Sequence, residues 1–208
     1  MPRRPDMPPL DRGDLDLDPI VQFRSWFELA EREVELPEAM TLATIDPGGA
    51  PDARMVLLKG VDQAGFRFFT NNESAKGDQL AVSPLAALVV YWRELDRQVR
   101  VRGPVERLPD AESDAYFATR SRDSQLGAWA SPQSRTLASR TELDQHLDEA
   151  EARYGDGDVP RPPHWGGYLV VPDRIEFWQG RIGRLHDRFR YIREPAEPSG
   201  WQIARLAP

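Results

Sequence analysis

The chain has 208 residues, 40% of them hydrophobic and 29% charged, with a formal net charge of -7 and no cysteine. That length supports one sizeable domain with a real core, and the missing cysteines exclude disulfides, thiolate catalysis and cysteine-ligated metal sites. The acidic balance is a poor basis for binding nucleic acid, no run approaches the roughly 20 apolar residues of a membrane helix, and no apolar segment follows the basic start, so the expected location is the cytoplasm.

Residues 1–17 are rich in Pro, Arg and Asp and read as a flexible arm ahead of a single domain spanning 18–208. Asp18-Pro19 marks a helix start. Ile20, Phe23, Trp26, Phe27 and Ala30 then give one apolar face, and the helix should end before Pro37. From Met40 to Leu108 the period changes. MTLATID, ARMVLLK, FRFFT, AALVVYW and RQVRVRGPVERL are rich in β-branched and aromatic residues and are separated by turn signals. They predict about five strands, with a short helix between Ser74 and Val82. Residues 109–154 turn helical, with Ser139 and Glu142 in a capping-box pattern. GYLVV, RIEFWQ, RFRYIR and WQIARL return to strand. Strands and helices do not alternate, so a mostly antiparallel barrel with peripheral helices, of α+β class, is expected rather than a parallel sheet.

Four segments carry possible chemistry. In ARMVLLK, alternation puts Arg54, Val56 and Leu58 on one face and Met55, Leu57 and Lys59 on the other, with the strand expected in the core. From the pattern alone, solvated strand ends are the better account of the two cations, because charged residues are mostly exposed. Ser74 with Lys76 suits a phosphate at a helix start, or an ordinary cap. SRDSQLGAWASPQSR offers hydroxyl, amide and guanidinium donors with few acids, suited to phosphate or heterocycle recognition, or simply a polar loop. If residues 184–188 are extended, Arg184, His186 and Arg188 share a face and call for an anion between them; a basic strand edge is the alternative. His146 and His164 read as helix-surface and loop residues. No catalytic triad and no metal-binding motif is present, so the residues alone indicate a protein that binds a phosphorylated small molecule.

Taken together, PDARMVLLKG, FFTN, LDRQVRV, DAYFATRSRDSQLGAWASPQS, PHWGGYLV, RIEFWQGRIGRLHDRFRY and the final RLAP resemble the pyridoxamine 5′-phosphate oxidase family, in order and nearly without gaps from residue 18 to 208. The resemblance implies an FMN-binding split β-barrel and a homodimer with FMN at the subunit interface. It implies oxidation of pyridoxamine and pyridoxine 5′-phosphates to pyridoxal 5′-phosphate, with O2 consumed and H2O2 released. By matching positions it places Arg54, Met55, Val56, Leu57, Leu58 and Lys59 along the FMN, with Phe69, Thr70 and Lys76. Gln98, Gln133, Ser134, Trp178 and Arg188 complete the implied cofactor set. Lys59, Tyr116, Arg120 and Ser124 would bind the substrate phosphate. Arg184, Leu185 and His186 would hold the substrate ring, with Arg184 and His186 as the catalytic pair; no metal is implied. Three departures stand out. Ala75 replaces a usual Arg, which implies weaker FMN binding. Phe69 replaces a usual Tyr. Arg4-Pro5-Asp6-Met7 lacks the tyrosine of the family's closing arm. A related flavin or deazaflavin reductase, or a non-enzymatic pyridoxal phosphate carrier, are the alternatives.

Overall fold

The computed structural model describes residues 8–208. Helix α1 (Pro19–Glu33) begins as its sequence dictates: the Asp18 carboxylate accepts the Ile20 N–H at 2.8 Å, and Pro19 occupies the first turn, where no N–H is needed. Its buried face packs on the barrel through Phe23 against Phe66 (4.9 Å between ring centroids) and Trp26 against Phe177 (5.2 Å), both edge-on.

The strands are β1 (Ala39–Ile45), β2 (Pro51–Leu57), β3 (Gly60–Asp62), β4 (Gly65–Asn71), β5 (Leu85–Trp92) and β6 (Arg97–Arg107), followed after three helices by β7 (Trp165–Val170), β8 (Arg174–Gln179), β9 (Asp187–Arg193) and β10 (Trp201–Arg205). Every pairing is antiparallel, and one path runs β10-β9-β8-β6-β5-β1-β2. The long β6 belongs to two sheets. Residues 97–102 pair with β8, whereas residues 105–107 pair with β7, which continues to β4 and β3. The change of partner falls beside Gly103, where a Cβ would lie 1.8 Å from the Val171 carbonyl oxygen. Only glycine fits that crossing. The result is a split β-barrel of α+β class, filled by residues such as Met40, Leu42, Phe68, Leu88, Val99 and Phe177.

Helix α2 (Ala75–Val82) follows β4. Helices α3 (Asp110–Ala118), α4 (Arg122–Ala130) and α5 (Arg140–Tyr154) form the peripheral layer with a core of their own around Phe117, Leu126 and Trp165. No helix among the described residues is long and apolar enough to cross a membrane.

Three expectations need correction. The stretch before Leu108 contains six strands rather than five, because the Gly60–Gly65 turn holds the short β3. Strand β2 is a sheet edge and not a core strand. It pairs with β1 alone, and Met55 is 62% exposed. Residues 184–188 are not one extended run. A 3-10 turn spans Ile182–Arg184, with Gly183 at φ 75 and Arg184 at φ 64, and β9 starts only at Asp187.

Residues 8–17, the end of the expected arm, lie against the barrel. Leu10 and Leu15 are buried, the Leu10 N–H donates to Asp187 (3.0 Å), and Arg205 donates to the Leu10 carbonyl (3.0 Å). Arg4, Pro5, Asp6 and Met7, where arm closure was considered, fall outside the described residues.

Candidate functional site

A cavity of about 630 Å³ opens between β2, β4, α3 and α4. Its apolar wall is a stack of near-parallel rings: Phe69 lies 4.0 Å from Tyr116 at 15°, and 5.5 Å from Trp165 at 9°. Gly167 makes room for this stack, since a Cβ there would meet the Phe69 ring at 2.7 Å. Met55, Val56 and Leu57 of β2 line another side.

Two polar ends face this wall. At the first, the Lys76 ammonium donates to Ser74 Oγ (2.7 Å) and Gln133 Oε1 (2.6 Å), and Thr70 Oγ1 donates to the same Gln133 oxygen (3.2 Å). Ser74 occupies the N-cap position but its hydroxyl makes no capping bond; it donates to the Asn71 carbonyl instead. Lys76 is buried, and no carboxylate pairs with it among the described residues. Burial, helped by the nearby Arg54 charge, holds its pKa down at about 8.

At the second end, Arg120 lies over the Trp165 ring, 4.8 Å from its centroid. Its Nη1 is buried and has no hydrogen-bond partner. Burial lowers the Arg120 pKa, and burial raises that of Tyr116. Ser124, in the first turn of α4, accepts a hydrogen bond from the Ser121 hydroxyl at 2.8 Å. Lys59 completes this end, 3.7 Å from Glu38. Among the described residues no aspartate or glutamate lines the cavity. A cation without an acid and a guanidinium N–H without an acceptor are costly to bury. An anionic ligand would relieve both.

Of the residues expected at the site, Met55, Val56, Leu57, Lys59, Phe69, Thr70, Lys76, Tyr116, Arg120, Ser124 and Gln133 share this cavity. Arg54 does not line it. Its guanidinium is held by Asp52 (2.5 Å), Gln79 (2.9 Å) and Thr44. Leu58 points into the barrel core, and Ser134 is exposed with a left-handed backbone (φ 71).

The remaining residues form a second group on the far strands. Gln98, Trp178 and Arg188 are register partners across β6, β8 and β9. The His186 ring lies 4.6 Å from Trp178, and its Nδ1 accepts the Arg181 N–H (3.1 Å), which leaves the proton of the neutral ring on Nε2. Arg184 and Leu185 are exposed in the preceding turn. The expected crowd of three unpaired cations is overturned. Arg184 lies outside the strand, and Arg188 is neutralised by Glu176 at 2.8 and 3.0 Å. None of this second group lines the cavity within one chain.

Trp165, Asn71, Ser121 and Ser131 also line the cavity; each lies in a segment that the sequence marks, but none has a role of its own there. Trp165 sat inside the matching string PHWGGYLV, so the signal was there. The pairing of Glu38 with Lys59 depends on the β1–β2 register and left none. His146 and His164 touch helix-end carbonyls of Ala130 (3.2 Å) and Ala128 (3.0 Å). Among the described residues no group of three or more His, Asp or Glu could hold a metal ion.

Fold and cavity together define a split-barrel protein with an aromatic-walled pocket lined by three cations. Family models agree: residues 28–154 match pyridoxamine 5′-phosphate oxidase, and residues 165–208 match the pyridoxine 5′-phosphate oxidase C-terminal dimerisation region. The chain is 57% identical over 202 residues to a pyridoxine/pyridoxamine 5′-phosphate oxidase of Salinibacter ruber, covering 96% of this chain and 93% of that protein. It is 55% identical over 200 residues to the protein of the same name from Burkholderia thailandensis, with the same coverage. Among solved structures, PhzG from Burkholderia lata, in complex with tetrahydrophenazine-1-carboxylic acid, superposes with a TM-score of 0.89 at 31% identity, covering 98% of this chain and all of that one. A pyridoxamine 5′-phosphate oxidase-related, FMN-binding protein from Nostoc punctiforme shares the fold, with a TM-score of 0.73 at 19% identity, covering 93% of this chain and all of that one. The chain belongs to the pyridoxamine 5′-phosphate oxidase family.

Proposed function

We propose that the protein is a cytoplasmic, homodimeric, FMN-dependent oxidase that converts pyridoxamine 5′-phosphate and pyridoxine 5′-phosphate to pyridoxal 5′-phosphate. The observation that carries this reading is the cavity with cations at both ends, no acid in its lining among the described residues and one guanidinium N–H left without an acceptor. Such a donor set suits two phosphoesters on either side of stacked rings. The family assignment, with close relatives named for this reaction, narrows the ligands to FMN and the phosphorylated vitamers.

The residues fit FMN. Lys76, Thr70 and Gln133 would hold its phosphate, with Ala75 contributing no guanidinium. Met55, Val56 and Leu57 would flank its ring. FMN, when bound, supplies the two-electron acceptor for the C–H bond broken at the substrate's 4′ carbon and returns the electrons to O2. Lys59, Arg120, Tyr116 and Ser124 would grip the substrate phosphate and so fix the reacting carbon in place. Orientation of this kind is worth several kcal/mol, on the order of 7–11 in favourable cases. Arg184 and His186 would hold the pyridine ring, with Leu185 beside it, and close the site to water. Pyridoxine phosphate would yield the aldehyde directly; the amine would yield an imine that water hydrolyses, releasing ammonia.

A dimer supplies the second group of residues. Support comes from the matched dimerisation region and from apolar side chains left open in one chain, with Leu185 73% and Met55 62% exposed. Gln98, Trp178, Arg184, His186 and Arg188 of one protomer would then meet the cavity of the other.

The test is direct. FMN-loaded protein mixed with pyridoxine 5′-phosphate should consume oxygen and produce a visible aldehyde chromophore. Absence of turnover with both vitamer phosphates would sink the reading. Flavin reduction by NAD(P)H but not by pyridoxamine phosphate would favour a reductase. A colourless preparation that binds pyridoxal phosphate and refuses FMN would favour a carrier.

A further inference from the structure

Three cations line the cavity, and among the described residues only one of them has an acidic partner. Lys76 and Arg120 have none, whereas Lys59 lies 3.7 Å from the Glu38 carboxylate. Glu38 sits immediately before β1, and its carbonyl accepts the Leu58 N–H at 2.8 Å, so the β1–β2 ladder holds its backbone beside Lys59. Both side chains are about a quarter exposed, at 27% and 28%. Its charge is also felt at Tyr116, where it adds to burial in raising the phenol pKa against the opposing Arg120 charge. Glu38 therefore stands beside Lys59, a residue that lines the same cavity as Tyr116 and as Arg120 with its unmet N–H.

A carboxylate in that position holds the lysine when no ligand is present, and it opposes any anion that arrives. Since the repulsion scales with the charge of the newcomer, it weighs more on a doubly charged oxyanion than on a singly charged one. We infer that Glu38 is a specificity-determining residue: an internal competitor for Lys59 that moderates the affinity of this end of the cavity for doubly charged tetrahedral oxyanions. This rests on the reading that the Lys59–Arg120 end receives a phosphoester. A moderated grip also suits a site that must release a product carrying the same phosphate as its substrate.

The experiment is calorimetric titration of the FMN-loaded protein with sulfate, a dianion, and with methanesulfonate, a monoanion of similar shape. Glu38→Gln should bind sulfate about fivefold more tightly, the scale of a partly exposed ion pair, and methanesulfonate, at half the charge, only about twofold more tightly. Glu38→Asp keeps the charge and should retain wild-type discrimination. Unchanged or weaker sulfate binding in a folded Glu38→Gln protein would overturn the inference. So would equal gains for both anions, which would mark a merely freed lysine. Glu38→Thr, neutral and suited to the start of a strand, is the second neutral variant and must give the same result should the first fail to fold. Turnover of pyridoxine 5′-phosphate by the wild type is measured alongside. Its absence would sink the oxidase reading while leaving the oxyanion comparison to stand or fall alone.

Discussion

Replacing Lys76 with methionine should stabilise the ligand-free protein and weaken its hold on FMN. Lys76 is buried and its pKa falls from the ordinary 10.5 to about 8. At about 1.4 kcal/mol per pH unit, keeping it charged at neutral pH costs about 3 kcal/mol. The ammonium recovers part of this through its bonds to Ser74 and Gln133, worth about 1 kcal/mol each. Neither partner is stranded by the change, since Ser74 still bonds the Asn71 carbonyl and Gln133 still accepts from Thr70. Methionine fills the same slot without charge, so a net gain of about 1 kcal/mol is expected in the ligand-free state. The sign with pH follows from the lowered pKa of a base. Between about pH 8 and 10.5 the unfolded chain binds a proton that the folded chain does not, so wild-type stability rises through that window relative to the variant. Urea denaturation of ligand-free wild type and Lys76→Met across this range gives the difference curve. With FMN bound the order should reverse, since the variant lacks a charge-assisted bond to the phosphate, and FMN affinity should fall about 10- to 100-fold. A ligand-free variant clearly less stable than wild type at neutral pH, or a flat difference curve, would refute the reasoning.

Other substitutions probe the remaining parts. Arg120→Ala removes a guanidinium with an unmet N–H; kcat/KM for pyridoxine 5′-phosphate should fall about 10- to 100-fold, while FMN affinity stays near wild type. Arg184→Ala should slow turnover far more than it weakens FMN binding, and equal losses in flavin titration and steady-state rate would contradict its assignment to the substrate ring. Gly167→Ala forces a Cβ to within 2.6 Å of Leu108 and 2.7 Å of the Phe69 ring; a loss of about 1–3 kcal/mol in unfolding free energy is expected, together with altered near-ultraviolet dichroism from the disturbed ring stack.

The N-terminal segment and the turn at residues 182–184 mark where reading by pattern reached its limit. Local pattern depends on neighbours: Asp18-Pro19 specified a cap, the apolar spacing of Ile20, Phe23, Trp26 and Ala30 specified a buried helix face, and the β-branched run MTLATID ahead of a turn signal specified a strand. Leu10 and Leu15, in a stretch of prolines and aspartates, gave no such period. They are buried because Asp187 and Arg205, far along the chain, bond the backbone beside Leu10. In the same way, Arg184 was placed on a strand face by a two-residue alternation that its own left-handed backbone and Gly183 interrupt.

Composition, periodicity and the ordered motifs by themselves determined the α+β class, the antiparallel barrel and the family, because these depend on local propensity and on residue identities spread along the whole chain. The choice of which side chains share a cavity was made by the tertiary structure. The branching of β6 at Gly103 brings β4 and β7 under α3 and α4, and so sets Phe69, Tyr116, Trp165, Lys76 and Arg120 around one space, with Glu38 beside Lys59. Strand register and burial decide charge pairing, and neither can be read from residues that stand dozens of positions apart until the sheet has closed.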